Sequence, residues 1–384
     1  MDFSHWGEPS PEWLSFAAAN ASLLALSDEH LPPLYQQRNA NKTRTNLAKH
    51  LVQTSGIGHL VATKDHAVPT RDGQSINVRS YRPKLLGSRA LPAYVYFHGG
   101  GFIFGTPDTE LFNCSFLAHS LNITVLHVCY RHTPHVKGLT PWHDAIDGFE
   151  WIASHTHMLG INPSHIVVGG ISAGGSLTAS VVQHEVRRAR EAGTPSRIRG
   201  QVLGIPTLIH YKAFPYDLFA SKEKTSILQN SNAAMLPDKR MRYFSDLLGS
   251  EVDPTDRTWS PGLAEEEELK DIPPTAILVA GWDPLRDEAL LYARKLKNAG
   301  VRTRVHIFPG LPHVFYAFKQ LPSHARWNEV MHSSLRWANA GDDGWVVEEL
   351  PMMPSFTAPT TSSSDPVTAG AVKSDPVPEG ATSL

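Results

Sequence analysis

A serine sits in the pentapeptide Gly170-Ile171-Ser172-Ala173-Gly174, directly after the apolar run Ile166 to Val168 and directly before a helical run. A nucleophile on a strand-to-helix turn needs small neighbours, so that the backbone can bend and leave the hydroxyl exposed. The helix that follows aims its N-terminal N–H groups and positive dipole end at any developing oxyanion. Arg187, Arg188 and Arg190, near its far end, suit the opposite pole. A second glycine-rich segment, His98-Gly99-Gly100-Gly101-Phe102, follows the apolar run Ala93 to Phe97. Three consecutive glycines let backbone N–H groups approach a ligand without side-chain obstruction, as an oxyanion hole requires. Either segment alone reads equally well as a glycine-rich turn. Both together, each at the C-terminal end of a strand-like run, point to nucleophilic catalysis.

An acid and a base are available in the order this arrangement needs. Asp283 ends the run Ala276 to Ala280 across a Gly-Trp turn, and His313 follows the run Val305 to Phe308 in a Pro-Gly-Leu-Pro loop. Ser, Asp, His is the chain order of enzymes with a serine on such a turn. Both residues fall at the sheet edge where open α/β folds place their ligands. A second carboxylate, Asp287, lies one turn into the following helix, where a favourable charge near the dipole accounts for it. His132, His135 and His143 are close together, as are His155 and His157, but none has a recognised metal-ligand spacing. No metal or cofactor is expected. The run Glu265 to Glu268 reads as a solvated helix face.

These segments resemble the hormone-sensitive-lipase-type esterase branch, with its HGGG and GxSxG motifs, of the α/β-hydrolase family. Two more of that branch's patterns are present. Tyr130-Arg131-His132-Thr133-Pro134 with Pro141-Trp142-His143-Asp144-Ala145 is similar to its Y-R-x-x-P…P…D-A stretch. Asp283-Pro284-Leu285-Arg286-Asp287-Glu288 is similar to its D-P-L-R-D-E segment, and His313-Val314-Phe315 stands where it has H-G-F. The resemblance covers residues 60 to 340 or so. It implies Ser172 as nucleophile, Asp283 as acid and His313 as base, with Gly100, Gly101 and Ala173 supplying oxyanion N–H groups. His98, Gly99, Phe102, Gly170 and Gly174 complete the two glycine motifs. Three positions depart from the family pattern: Ile171 replaces an acid before the serine, His135 replaces an acid after Pro134, and Val314 replaces a glycine. They suggest an unusual pocket.

The elements that must position these residues follow from hydrophobic pattern. The runs named above, with Val125 to Tyr130 and Gln201 to Ile205, are apolar without polar alternation, as strands buried on both faces are. Between them lie helical periods such as Leu285, Ala289, Tyr292, Ala293 and Leu296, closed by Gly300. The expected fold is α/β, a mostly parallel central sheet with helices on both faces (the α/β-hydrolase fold) plus a helical cap. Residues 1–60 are expected to form an N-terminal helical cap segment, with helix-like stretches at Pro11 to Leu26 and Lys42 to Gln53. Residues 61–345 are the hydrolase domain, with a cap or lid insertion at 206–262. That insertion is expected to line the pocket with Phe214, Tyr216, Leu218 and Phe219. In Pro351 to Leu384, 19 of 34 residues are Pro, Ser, Thr or Gly, so 346–384 is expected to be a disordered tail.

Composition bounds the remaining classes. Hydrophobic residues are 41% and charged residues 19%, which excludes a mainly disordered, collagen-like or coiled-coil chain. A net charge of -2 offers no global field for nucleic acid. Cys114 and Cys129 cannot form a disulfide framework and fit buried thiols in a reducing compartment. No apolar run reaches the roughly 18 residues of a membrane span. Asp2, Glu8 and Glu12 precede the first Lys or Arg, Arg38, so the start does not read as a signal peptide. A cytoplasmic protein is expected, and the glycosylation sequons at Asn20, Asn41, Asn113 and Asn122 are then chance. The expected activity is hydrolysis of a small, largely apolar carboxylic ester through a Ser172 acyl-enzyme. The alternatives are an acyltransferase or cyclising enzyme of a biosynthetic pathway, and a non-enzymatic small-molecule receptor, against which the retained triad argues. The oligomeric state is left open.

Overall fold

The apolar runs become the inner strands of a sheet. A computed structural model describes residues 1–24, 30–340 and 346–350. Its strands are β1 (Val61–Pro69), β2 (Ser75–Pro83), β3 (Leu91–Phe97), β4 (Thr124–Cys129), β5 (Ile161–Ile171), β6 (Gly200–Gly204), β7 (Thr275–Trp282), β8 (Thr303–Pro312) and β9 (Val346–Glu349). The order across the sheet is β1-β2-β4-β3-β5-β6-β7-β8-β9. From β4 to β9 every pairing is parallel, while β1 and β2 form an antiparallel edge. That edge escaped the apolar-run reading because β1 carries exposed Thr63, Lys64 and Asp65, polar residues of the kind that blunt an open strand edge.

The helices are α1 (Pro11–Ala19), α2 (Ala21–Leu24), α3 (Pro33–Ser55), α4 (Leu111–Leu121), α5 (Thr140–Ser154), α6 (Thr156–Leu159), α7 (Ala173–Ala192), α8 (Ser226–Gln229), α9 (Asp238–Leu247), α10 (Glu266–Leu269), α11 (Arg286–Asn298) and α12 (Pro322–Ala340). Successive strand residues serve opposite faces. Val95, Val168 and Ile277 pack with Trp142 of α5, Leu177 of α7 and Leu291 of α11. Their neighbours Tyr94, Val167 and Leu278 pack with Ala118 of α4 and Val330 of α12. The chain steps from β3 outward to β4 and then back across to β5, so the order reverses between β3 and β5. The crevice at such a reversal is where open α/β sheets bind ligands. Both glycine motifs leave the sheet there.

Helices α1 to α3 precede the first strand, and α3 runs longer than its expected core, from Pro33 in its first turn to Gly56 in the left-handed conformation (φ 69°). Residues 206–262 contain α8, α9 and short 3-10 turns and no strand. The expected tail boundary at 346 moves. Residues Val346–Glu349 pair with β8, Glu348 Oε2 meets His306 Nδ1 at 2.9 Å, and Leu350 N donates to Ile307 O, which carries the sheet to residue 350. Residues 351–384, expected to be disordered, lie outside the described residues. Among the described residues no helix is long and apolar enough to cross a membrane.

Asp287 is more than the favourable dipole charge expected. It is fully buried, and its carboxylate accepts from Arg286 Nε at 2.7 Å and from Ser226 N at 2.7 Å. Ser226 Oγ in turn donates to Pro284 O, so this carboxylate ties the start of α11 to α8 in the covering segment. Arg286 is equally buried. Asp287→Asn would leave its guanidinium charge uncompensated, and breaking a buried pair from one side costs about 3–5 kcal/mol. Thermal melting should show a fall in Tm of many degrees, and an unchanged Tm would refute this role.

Candidate active site

Ser172 is both the last residue before α7 and the apex of a sharp turn. Its backbone stands at φ 54°, ψ -117°, a region that costs a non-glycine residue of the order of 1–3 kcal/mol. Backbone hydrogen bonds hold it there. Ser172 N donates to Gly204 O at 2.8 Å, and Ser172 O accepts from Gly175 N at 2.8 Å and Thr207 N at 3.2 Å. The flanking glycines are required by close approach. A Cβ on Gly174 would lie 2.0 Å from Phe97 O, and one on Gly170 would lie 2.2 Å from Gly174 O. The turn is thus pressed against the end of β3, with the N-terminus of a 20-residue helix behind the hydroxyl.

Asp283 and His313 meet Ser172 across the sheet edge. Asp283 follows β7 directly and His313 follows β8 directly. His313 Nδ1 lies 2.6 Å from Asp283 Oδ2, and His313 Nε2 lies 2.9 Å from Ser172 Oγ. Asp283 Oδ1 accepts from Leu285 N at 3.0 Å, which fixes the carboxylate plane. An ionised carboxylate only accepts, so Nδ1 must carry the ring proton of a neutral imidazole. The Nε2 lone pair then faces the serine hydroxyl. The three residues are nearly closed to solvent, with Ser172 the most accessible at 7%. Val314, where the family pattern has glycine, keeps the left-handed backbone (φ 53°) that glycine would adopt freely and a β-branched residue adopts at a steric cost.

Gly100 and Gly101 lie beside Ser172 in the same cleft. No described residue accepts from the N–H groups of Gly100, Gly101 or Ala173. His98, at the base of this loop, is fully buried and bonded at both ring nitrogens, to His127 Nε2 at 2.7 Å and to His132 Nε2 at 2.9 Å. Tyr130 stacks on its ring at 4.5 Å and donates to its carbonyl. The partners of His98 were invisible to spacing, since His127 reads as part of an apolar strand. Behind the site, Arg131 grips buried Asp144 with two hydrogen bonds of 2.7 and 2.9 Å, which accounts for that motif structurally. Among the described residues no group of three His, Cys, Asp or Glu could hold a metal ion.

The cleft over Ser172 has a volume of about 780 Å³ and largely apolar walls. One wall is α3, through Ala40, Arg44, Leu47, Ala48 and Leu51. Another is the covering segment, but not through the residues expected. Met235, Leu236, Met241 and Phe244 line the cleft, whereas Phe214, Tyr216, Leu218 and Phe219 do not. Phe214 stacks on Phe219 at 5.3 Å, and Phe219 meets Phe3 edge-on at 6.3 Å. The Met1 ammonium donates to Leu218 O, and Ala220 N donates to Met1 O. These aromatics therefore seat the N-terminus. Phe244 lies on the triglycine loop itself, since a Cβ on Gly101 would fall 2.4 Å from its ring.

A family model described as alpha/beta hydrolase fold matches residues 94–317, more than half of the chain. The carboxylic ester hydrolase LipN of Mycobacterium tuberculosis is 34% identical over 281 residues, covering 72% of this chain and 70% of that protein. Two solved structures are similar over most of their length. Vibralactone cyclase superposes with a TM-score of 0.79 at 25% identity, covering 87% of this chain and 96% of that one. The carboxylesterase EstE1, from a metagenomic library, superposes with a TM-score of 0.69 at 30% identity, covering 80% and 98%.

The three linked imidazoles carry a consequence for stability. Each N···N contact needs one N–H and one lone pair, so the set is satisfied with all three rings neutral. Burial pushes the His98 ring well below its usual range, His127 down to about 4 and His132 down to about 3. Unfolded imidazoles take up protons near pH 6.5 while the folded ones do not. Their contribution to stability is therefore full above that pH and lost as pH falls toward 4 and 3. Tm should decline between pH 7 and pH 5, and His132→Gln should flatten that decline by about one proton's worth of linkage. An equal slope in the two proteins would refute the neutral-chain description.

Proposed function

The chain belongs to the alpha/beta hydrolase fold family, and on that premise we propose that it is a serine carboxylic-ester hydrolase with Ser172 as nucleophile. The observation that carries this reading is the continuous contact Asp283–His313–Ser172, at 2.6 and 2.9 Å, on the floor of an apolar cleft. His313 Nε2 takes the Ser172 proton as Oγ attacks the ester carbonyl. Asp283 holds the ring in the tautomer that can do so and stabilises the imidazolium that results. The N–H groups of Gly100, Gly101 and Ala173, together with the N-terminal end of α7, receive the negative charge that moves onto the carbonyl oxygen. His313 then returns the proton to the departing alcohol, leaving an acyl-enzyme. Water, activated by the same imidazole, attacks it, and collapse of the second tetrahedral intermediate releases the acid and restores Ser172.

Substrate scope follows from the walls. Volume and apolar lining suit a small ester with a hydrocarbon body, and the named esterase relatives fit that class. Helix α3 and residues 206–262 act as the cap, since both stand over Ser172. The unpaired thiols Cys114 and Cys129 fit action in the cytoplasm. A second reading keeps the acyl-enzyme but delivers it to a hydroxyl of the same substrate, and the likeness to vibralactone cyclase speaks for it. Product analysis by mass spectrometry separates the two, because hydrolysis adds the mass of water to the acyl fragment and ring closure does not.

Ser172→Ala should lose turnover of p-nitrophenyl esters on the order of a million-fold, as loss of such a nucleophile does in a well-studied protease. It should also stop reacting with a fluorophosphonate. A mutant that still turned over at more than a few per cent would overturn the assignment. Asp283→Asn should lose about ten-thousand-fold by stabilising the wrong tautomer, as in the serine-protease template.

The cleft walls generate a separate expectation. Met241→Ala and Phe244→Ala should raise the rate on long acyl chains relative to short ones, by opening the cap side of the cleft. An acyl chain-length series that shifted uniformly would show these residues to be scaffold.

A further inference from the structure

The oxyanion loop contains four glycines within residues 98–105, namely Gly99, Gly100, Gly101 and Gly105. Such a segment has little conformational preference of its own, yet oxyanion donors contribute only when they are fixed before the charge develops. Its geometry must be imposed by neighbours. Inside the loop, Gly100 O accepts from Ile103 N and Phe104 N at 3.1 and 2.9 Å. From β4's loop, Thr133 N donates to Phe102 O at 2.9 Å. Tyr130 and the Thr133 hydroxyl add bonds to His98 O and Phe102 O, and two further ties come from α3, some sixty residues earlier in the chain. Gln37 Nε2 donates to Ile103 O at 2.7 Å, and Asn41 Oδ1 accepts from Gly105 N at 2.9 Å. Gln37 and Asn41 stand four residues apart, on one helix face.

Gly105 is the point where this face meets the catalytic loop. Its φ of 131° is reserved for glycine, and a Cβ there would lie 2.1 Å from the His98 imidazole. The Gly105 backbone is therefore seated on the ring of His98, the residue that begins the loop, while its N–H is held from above by Asn41. Arg44 with Glu110 at 2.9 Å and Lys49 with Asp108 at 3.5 Å fasten the same helix further along.

We propose that Asn41 is a positioning residue for the oxyanion hole: its amide oxygen fixes the Gly105 N–H, and through the Gly105–His98 contact it sets the positions of the Gly100 and Gly101 N–H groups. This rests on the oxyanion role given to those glycines above. The half-buried side chain of Asn41, the acceptor of the Asn41-Lys42-Thr43 sequon, is thus already engaged by the Gly105 N–H. Only the acceptor oxygen of Asn41 takes part, so an aspartate can replace it and a leucine of similar shape cannot.

The test compares full-length wild type with Asn41→Leu and Asn41→Asp. For Asn41→Leu, kcat should fall roughly 10- to 100-fold, the size of effect that a small misplacement of catalytic groups produces, with KM unchanged. Affinity for a trifluoromethyl ketone, which forms an oxyanion on Ser172, should fall by the same factor, and affinity for a non-hydrolysable ether analogue should not change. Asn41→Asp should restore most of kcat. An Asn41→Leu enzyme with wild-type kcat, a loss of ketone and ether affinity alike, or an Asp variant no better than Leu would overturn the proposal. If the leucine variant does not fold, Asn41→Ser, too short to reach Gly105, is measured in its place. A wild type that fails to react with a fluorophosphonate would instead count against the hydrolase reading.

Discussion

The architecture converges on one strained peptide unit, the turn at Ser172. Its backbone occupies a conformation that an isolated chain would leave, and the surrounding structure supplies the energy that keeps it there. Hydrogen bonds to Gly204 and Thr207 hold it from the β6 side. On the other side the glycines on either side of Ile171-Ser172-Ala173 let β3 close against it. The parallel sheet, buried on both faces, makes these contacts rigid. Because β3, β5, β7 and β8 all end at the same edge, the serine, the carboxylate and the imidazole come within hydrogen-bonding range, with the Gly99–Gly101 loop beside them, without any long loop having to span the molecule.

Much of this was legible in the residues. Strand-to-helix turns have steric requirements that only small residues meet, so Gly170 and Gly174 announce Ser172. Triglycine after a strand could by itself be a plain turn, and it gains meaning from the second motif at a neighbouring strand end. Asp283 and His313 could be chosen from many rivals because position at a strand's C-terminal end is itself readable from hydrophobic runs. Less legible were contacts that depend on tertiary packing. Phe214, Tyr216, Leu218 and Phe219 look like pocket residues by composition, but they serve the N-terminal residues Met1 and Phe3, and nothing in a local pattern distinguishes an aromatic facing a ligand from one facing another part of the chain. The structural weight of Asp287 was hidden for a related reason. A carboxylate in a helix's first turn is usually solvated, and only the arrival of Ser226 and the burial of Arg286 make it structural. The strand Val346–Glu349 is four residues long and lies next to a tail-like composition, too short for periodicity to separate it.

The histidines show how residue type can mislead without geometry. His132 first draws attention as a possible ligand beside His135 and His143. In the fold it turns the other way, toward His98, and becomes one end of a chain of neutral rings. What matters there is the capacity of imidazole to donate at one nitrogen and accept at the other, which lets three of them fill a buried space with no charge and no unsatisfied nitrogen at either contact.

Helix α3 has two duties on adjacent faces. Ala40, Leu47, Ala48 and Leu51 shape the room available to substrate, while Gln37 and Asn41 touch the loop where catalysis is to occur. Substrate range and catalytic competence are consequently not separable on this side of the cleft: a shift of the helix that makes space for a bulkier molecule also disturbs the loop. On the α9 side Phe244 packs on Gly101 of the loop, while Met235, Leu236 and Met241 face the cleft from the segment between β6 and β7 and leave more room for change. Divergence toward new substrates, whether by natural drift or by laboratory evolution, has its easier route there, with the N-terminal helix constrained to change slowly.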